Sequence, residues 1–191
     1  MSSSQNNGGR TTARELLAER LAKDPQIIGA RTDDRVVDLH TPIPADSKVE
    51  PVRSTDADGL AIIRHSTAHV MADAVQRLFP GTKVTIGPAT RAGFYYDFDR
   101  PDGAFTEEDL GRIEEEMRGI IAGKHPFRRD VVTRDDAHQL FAKMGETYKR
   151  ELIDAIPEDE EVSLYRHGAP GSEWVDLCEG PHVPHTGFLS A

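Results

Sequence analysis

Residues 64–80 read RHSTAHVMADAVQRLFP, and the fold turns on how this stretch is placed. Val70, Met71, Ala74 and Leu78 recur at helical spacing, and Pro80-Gly81 supplies a stop, so the spacing predicts an amphipathic helix held to a core. His65 and His69 stand four positions apart. At 3.6 residues per turn their rings lie one above the other and can reach a common centre. Ala72 and Gln76 continue the histidine face, which reads as a stripe outside the core. The plainer alternative is one core histidine and one surface histidine.

A second stretch, VDLCEGPHVPHTG at residues 175–187, answers the first. In an extended strand Asp176 and Cys178 point one way, Val175 and Leu177 the other. Gly180-Pro181 then bends the chain and can turn His182 back toward the Asp176 face. Cys178 alone reads as a small buried thiol. Together with His65, His69 and His182 it becomes one thiol and three imidazoles, a donor set with zinc-ligand chemistry. The same set can hold a water and a carbonyl without a metal. His185, His40, His125, His138 and His167 have no comparable companions and read as surface or loop residues.

Outward from these stretches the chain divides. Residues 1–12 are rich in Ser, Asn and Gly and read as a disordered tail. Residues 13–53 open with a helical segment that puts Leu16, Leu17 and Leu21 on one face, followed by short strands broken at Asp33-Asp34, Pro42 and Pro44. Residues 53–60, RSTDADGL, read as a linker to a larger domain spanning 54–191. There the strand pair TKVTIG and GFYYDFD puts Phe94, Tyr96 and Phe98 on one face and Tyr95 and Asp97 on the other. Thr106 with Asp109 and Thr133 with Asp136 signal two helix starts. The first of these helices carries Leu110, Ile113, Met117, Ile120 and Ile121. ETYKRELIDAI is a further helix, and EVSLYRH and EWVDLC are strands joined by the turn GAPGS. The predicted class is α+β, a small α+β module followed by an α+β domain of antiparallel sheet and helices.

The 191 residues are 37% apolar, with a net charge of -10 and Cys178 as the one cysteine. An internal disulfide is excluded. The polar start lacks the apolar stretch of an export signal, so a cytoplasmic location without membrane attachment is expected. The acidic balance argues against non-specific nucleic-acid binding, which draws on clustered Lys and Arg. Arg77, Lys83, Arg128, Arg129 and Arg166 are candidates for phosphate contacts or, alternatively, parts of a solvated face.

The segments RHSTAHVMADAVQRLFPGTKVTIGPATRAGFYYDFD, GETYKRELI and SLYRHGAPGSEWVDLCEGPHVPHTG resemble the N-terminal editing domain of bacterial-type threonyl-tRNA synthetase. The likeness covers about residues 53–189, and residues 13–53 resemble the small ubiquitin-like (TGS-like) module that opens those enzymes, trimmed of its first hairpin. The resemblance implies an editing hydrolase that deacylates mischarged seryl-tRNA(Thr), with the tRNA acceptor end, water and the rest of a synthetase as partners. It implies catalytic roles for His65, His69, Lys149, Cys178 and His182, and substrate-orienting roles for Tyr96 and Asp176. No cofactor is implied for the threonyl type. In alanyl-tRNA editing domains the four His and Cys positions hold zinc, an alternative occupant of His65, His69, Cys178 and His182 here. A non-catalytic tRNA- or protein-binding adaptor that keeps the fold is a further alternative. The sequence stops at Ala191 without an aminoacylation domain, so no threonine activation is expected of it, whether fragment or free-standing.

Overall fold

Thr12 caps the first helix with its side chain, accepting from the Glu15 N–H while Glu15 returns a bond to the Thr12 N–H. The cap fixes where the chain leaves β1 (Arg10–Thr12) for α1 (Ala13–Leu16) and α2 (Ala18–Leu21). The structure, a computed structural model, describes residues 9–87, 90 and 92–191. After α2 come β2 (Ile27–Arg31), β3 (Val36–Asp38), β4 (Pro42–Pro44) and β5 (Glu50–Arg53). β1 pairs with β4, and β3, β2 and β5 form an antiparallel sheet in that order. Ala13, Leu17, Ile27, Ala30, Val37, Leu39 and Ile43 fill the core of this first unit.

Two expectations change here. Residues 10–12, assigned to the tail, form a paired strand; the rest of the expected tail, 1–8, lies outside the described residues. The helix breaks at Leu17, so Leu16 turns out 39% exposed while Leu17 is buried.

The segment 53–60 is not a linker. β5 runs through Arg53 and α3 (Ala57–Leu78) begins four residues later. Gly59 packs so closely on the Arg53 carbonyl that a Cβ there would overlap it. Ile28 and Val52 of the first unit join Ile62, Val70 and Val75 of α3 in one apolar cluster, so the two units share a core. On its other side α3 meets α4 (Glu107–Ala122), which the Thr106 capping box starts and which contributes Ile113, Met117 and Ile120. Leu110, expected on that stripe, lies in the first turn of α4 and is 59% exposed.

Between α3 and α4 the described residues form a short ladder, β6 (Lys83–Val84) with β7 (Phe98–Asp99). Tyr96 and Phe98 stack on one face, as the alternation predicts, and Tyr95 faces out. Pro88, Ala89 and Arg91 lie outside the described residues.

The remaining elements are β8 (Arg128–Val132), α5 (Arg134–Met144), α6 (Thr147–Ala155), β9 (Val162–His167) and β10 (Trp174–Leu177). β9 is central in an antiparallel β10-β9-β8 sheet. Its side chains alternate: Val162 and Leu164 pack with Val175 on Ala137, Phe141 and Ile153 of α5 and α6. Ser163, Tyr165 and His167 take the opposite face, toward α3 and the segment after β10. α5 ends at Gly145 in the left-handed conformation, φ 77°, which lets the chain reverse directly into α6. No helix among the described residues is long and apolar enough to cross a membrane.

Two glycine substitutions separate packing from helix propensity. Gly59→Ala is expected to lower the thermal midpoint through the Arg53 overlap. Gly111→Ala, in α4 with no heavy atom near the added methyl, is expected to stabilise by about 0.5–1 kcal/mol. Thermal denaturation of both variants checks the contrast.

Candidate active site

α3 delivers His65 and His69, and the segment after β10 delivers Cys178 and His182. The four ligand atoms lie within 4.8 Å of one another. His65 Nε2 is 3.1 Å from Cys178 Sγ, and Cys178 Sγ is 3.3 Å from His182 Nε2. Ser66 Oγ lies 3.1 Å from His182 Nδ1 and accepts the Val183 N–H, fixing the ring that Gly180-Pro181 turns inward. His182 stacks between Phe127 and His65, with centroids 4.7 and 4.4 Å away. Gly180, at φ 80°, donates its N–H to Cys178 Sγ.

Beside this ring sits a buried charged group. Asp176, 1% exposed, receives Lys149 Nζ on Oδ1 at 2.6 Å and the Tyr96 hydroxyl on Oδ2 at 2.7 Å. Lys149, only 2% exposed, also donates to Tyr96 Oη at 3.1 Å. His69 Nε2 approaches Asp176 Oδ2 at 3.7 Å, which joins the two groups. All seven residues singled out by sequence are therefore together. Six of them, all but His182, line a cavity of about 570 Å³ with Ile86, Leu152 and Ile156. That volume falls in the usual range for small-ligand sites.

Some expectations fail. The histidine face of α3 is not outside the core: Ala72 is fully buried and His69 is 3% exposed, because Trp174 of β10, Val84 of β6 and Tyr96 cover that stripe. Gln76, on the same face, accepts the Trp174 indole N–H at 2.7 Å and donates to Glu146 at 2.5 Å. Glu146 also accepts the Val84 N–H, so it ties β6 to the start of α6 and thereby sets Lys149. Sequence reasoning missed Glu146 and gave Gln76, placed on the histidine face, no role.

His167, read as a surface or loop residue, is 1% exposed on β9 and lies 3.0 Å from Asp73. His138 also has a partner, Asp154 at 2.9 Å. Four of the five basic candidates are engaged locally: Arg77 with Asp73, Arg128 with Glu173, Arg129 with Glu161 and Arg166 with Asp130. Lys83 lies over the Tyr148 ring.

Burial sets the protonation of the ring. It lowers His65 to about 4, opposed in part by Asp176, and it drives His69 and His182 well below the ordinary imidazole value, each further lowered by neighbouring imidazoles. The same burial pushes the Cys178 thiol up, outweighing the Gly180 N–H. The ring is neutral at pH 7: three imidazoles and a protonated thiol. The Tyr96 hydroxyl is raised by burial and by Asp176, so it remains a donor. The Nδ1 atom of His69 is buried without a partner among the described residues.

Residues 162–191, which include Asp176, Cys178 and His182, match the family model described as the threonyl and alanyl tRNA synthetase second additional domain. The similarity extends much further than that segment. The chain is 52% identical over 185 residues to a threonine–tRNA ligase of Oleidesulfovibrio alaskensis, covering 94% of this chain and 28% of that protein. It is 48% identical over 184 residues to one of Rhodospirillum rubrum, covering 95% and 28%. For one of Nitratidesulfovibrio vulgaris the values are 49% over 172 residues, covering 88% and 26%. Over nearly its whole length the chain is thus similar to threonine–tRNA ligases, and it spans little more than a quarter of the relatives it matches.

Lys149→Met leaves Asp176 buried without its cation and is expected to cost about 3–5 kcal/mol in urea denaturation, partly restored by adding Asp176→Asn. The lowered imidazoles predict acid sensitivity. Unfolded histidines take up protons near pH 6.5 while His65 resists to about 4, so metal-free protein is expected to lose stability as pH falls through this window. Thermal midpoints between pH 7.5 and 5 check this, with His69→Asn expected to flatten the fall.

Proposed function

We propose that this chain is an editing hydrolase that releases serine from seryl-tRNA(Thr), as part of a threonyl-tRNA synthetase or as a free-standing protein in the cytoplasm. The observation that carries the reading is the neutral ring of His65, His69, Cys178 and His182 set against the charged group Tyr96–Asp176–Lys149 at one cavity. Similarity to threonine–tRNA ligases over 94% of the chain supports the substrate class. Serine differs from threonine by one methyl, a contact worth about 1–3 kcal/mol, so a synthetic site alone discriminates too weakly. A second cavity that rejects the extra methyl by overlap supplies the rest.

The chemistry follows from the protonation states. An aminoacyl ester is attacked at its carbonyl carbon by water, the water's proton passes to a base, and the ribose oxygen leaves with a proton. His65 and His69 line the cavity as uncharged imidazoles and are assigned the base; His182, behind them with both nitrogens engaged, holds them in place. Lys149 has three N–H donors, and Asp176 and Tyr96 take two. The third is assigned to the carbonyl oxygen as negative charge develops. Cys178 is held as a thiol, which disfavours a thioester route that needs a thiolate. Water is the nucleophile.

A second reading, zinc-dependent hydrolysis of the alanyl type, is favoured by the convergence of four donors. His65, His69, Cys178 and His182 would hold the ion, which when bound acidifies a water and polarises a carbonyl. Four protein donors fill a tetrahedral shell, however, whereas catalytic zinc sites keep a position open. That counts for the metal-free route.

Deacylation of seryl-tRNA(Thr) and threonyl-tRNA(Thr) by the purified chain tests the proposal. The seryl ester is expected to react at least about tenfold faster. His69→Ala is expected to lose about a hundredfold or more. Equal rates on both esters, or an unaffected His69→Ala, would remove the editing reading. One tightly bound zinc per chain together with loss of activity on chelation would favour the second.

A further inference from the structure

Tyr165 occupies the central strand β9, directly opposite Asp176 on β10 and Arg129 on β8. It is 2% exposed, and its ring lies 4.5 Å from that of His182. Its hydroxyl donates to Asp38 Oδ2 in the first unit. Asp38 is itself fixed: its other oxygen accepts the N–H groups of His40 and Thr41 and the Thr41 hydroxyl at 2.8–3.0 Å. On the remaining side Gly180 presses on Tyr165 so closely that a Cβ would overlap the hydroxyl. Gly180 also donates to Cys178 Sγ. One phenol therefore touches the first unit, the bend that carries Cys178, and the ring of His182.

We propose that Tyr165 is a positioning residue through which the first unit, by way of Asp38, sets His182 and the Cys178 bend in the register the site requires. Hydrogen bonding to a fixed carboxylate leaves the ring one orientation, and a ring that packs on an imidazole passes that orientation on. Arg31 with Asp58 also joins the two units, but at an exposed position, with Arg31 outside the cavity and the ring cluster. It tethers without positioning. The role in catalysis rests on the editing reading above; the coupling of Asp38 to His182 does not.

Tyr165→Phe in the full chain keeps the ring and removes the donor. It is expected to lower kcat for seryl-tRNA(Thr) about tenfold with KM held within about twofold, the pattern of misplacement rather than lost binding. The imidazole NMR resonances of His182 are expected to shift in the same variant. Asp38→Asn alone, whose amide N–H can bond the retained Tyr165 hydroxyl, is expected to keep near-normal kcat and resonances. Arg31→Ala is expected to weaken stability slightly and leave both unchanged. An unmoved His182 spectrum in Tyr165→Phe, or an equal change in Arg31→Ala, would overturn the proposal. If the unmutated chain deacylates no mischarged tRNA, the editing reading fails, while the His182 shift still decides the coupling.

Discussion

Placing the Asp176 carboxylate and the Lys149 ammonium together in the interior is the constraint that organises the rest of the structure. Either charge alone would be costly to bury, and the pair is tolerated only because Tyr96 and the Leu177 N–H fill the remaining lone pairs. That condition requires β10, α6 and the segment before β7 to meet at one point. Glu146 and Gln76 hold this junction from behind, through Val84 and the Trp174 indole. The cost of dehydrating these charges is offset by the apolar contacts of α5 and α6 on the back of the sheet. What this secures is geometry: a cation and a phenol held fixed beside neutral imidazoles.

The two halves of the site are electrically unlike. A salt-bridged group needs polar partners on every side, whereas the imidazole ring is packed against aromatic faces, Phe127, Tyr165 and Trp174. Apolar surroundings keep the imidazoles uncharged, so that a ring nitrogen can take up a proton, but they lower the basicity of the rings. His69 belongs to both environments, with its ring edge-on to Trp174 and one nitrogen toward Asp176. The 4-residue spacing on α3 lets one helix reach both.

That spacing was readable directly, as was the alternation that sends Asp176 inward and Val175 back, because both depend on local geometry alone. The helix starts at Thr106 and Thr133 were equally local. Burial was not. Lys149 sits between Tyr148 and Arg150 in a polar segment, and nothing near it in the chain announces that Asp176 will neutralise it. The family likeness, rather than periodicity, singled it out. His167 did carry a signal, since it shares the period-two face with Ser163 and Tyr165; that face was not followed along β9. Reading α3 as two-faced failed because the helix is covered by α4, by the first unit's sheet and by β9 and β10, so even its histidine stripe is interior. The expected linker and residues 10–12 of the expected tail were misjudged for one reason: short polar segments can be ordered by backbone pairing and close packing, as at Arg10–Thr12 and Gly59.

The ion pairs along β8 bear on more than RNA. β8 forms one border of its sheet, where a strand can offer unpaired backbone groups to a neighbouring molecule. Arg128, Arg129 and Asp130 place both signs of charge along that border, and their pairing with Glu173, Glu161 and Arg166 folds the charges onto the protein's own surface. A second chain seeking to extend the sheet would have to strip water from these groups and break pairs already made. The border thus discourages strand-to-strand aggregation without spending the residues that line the cavity.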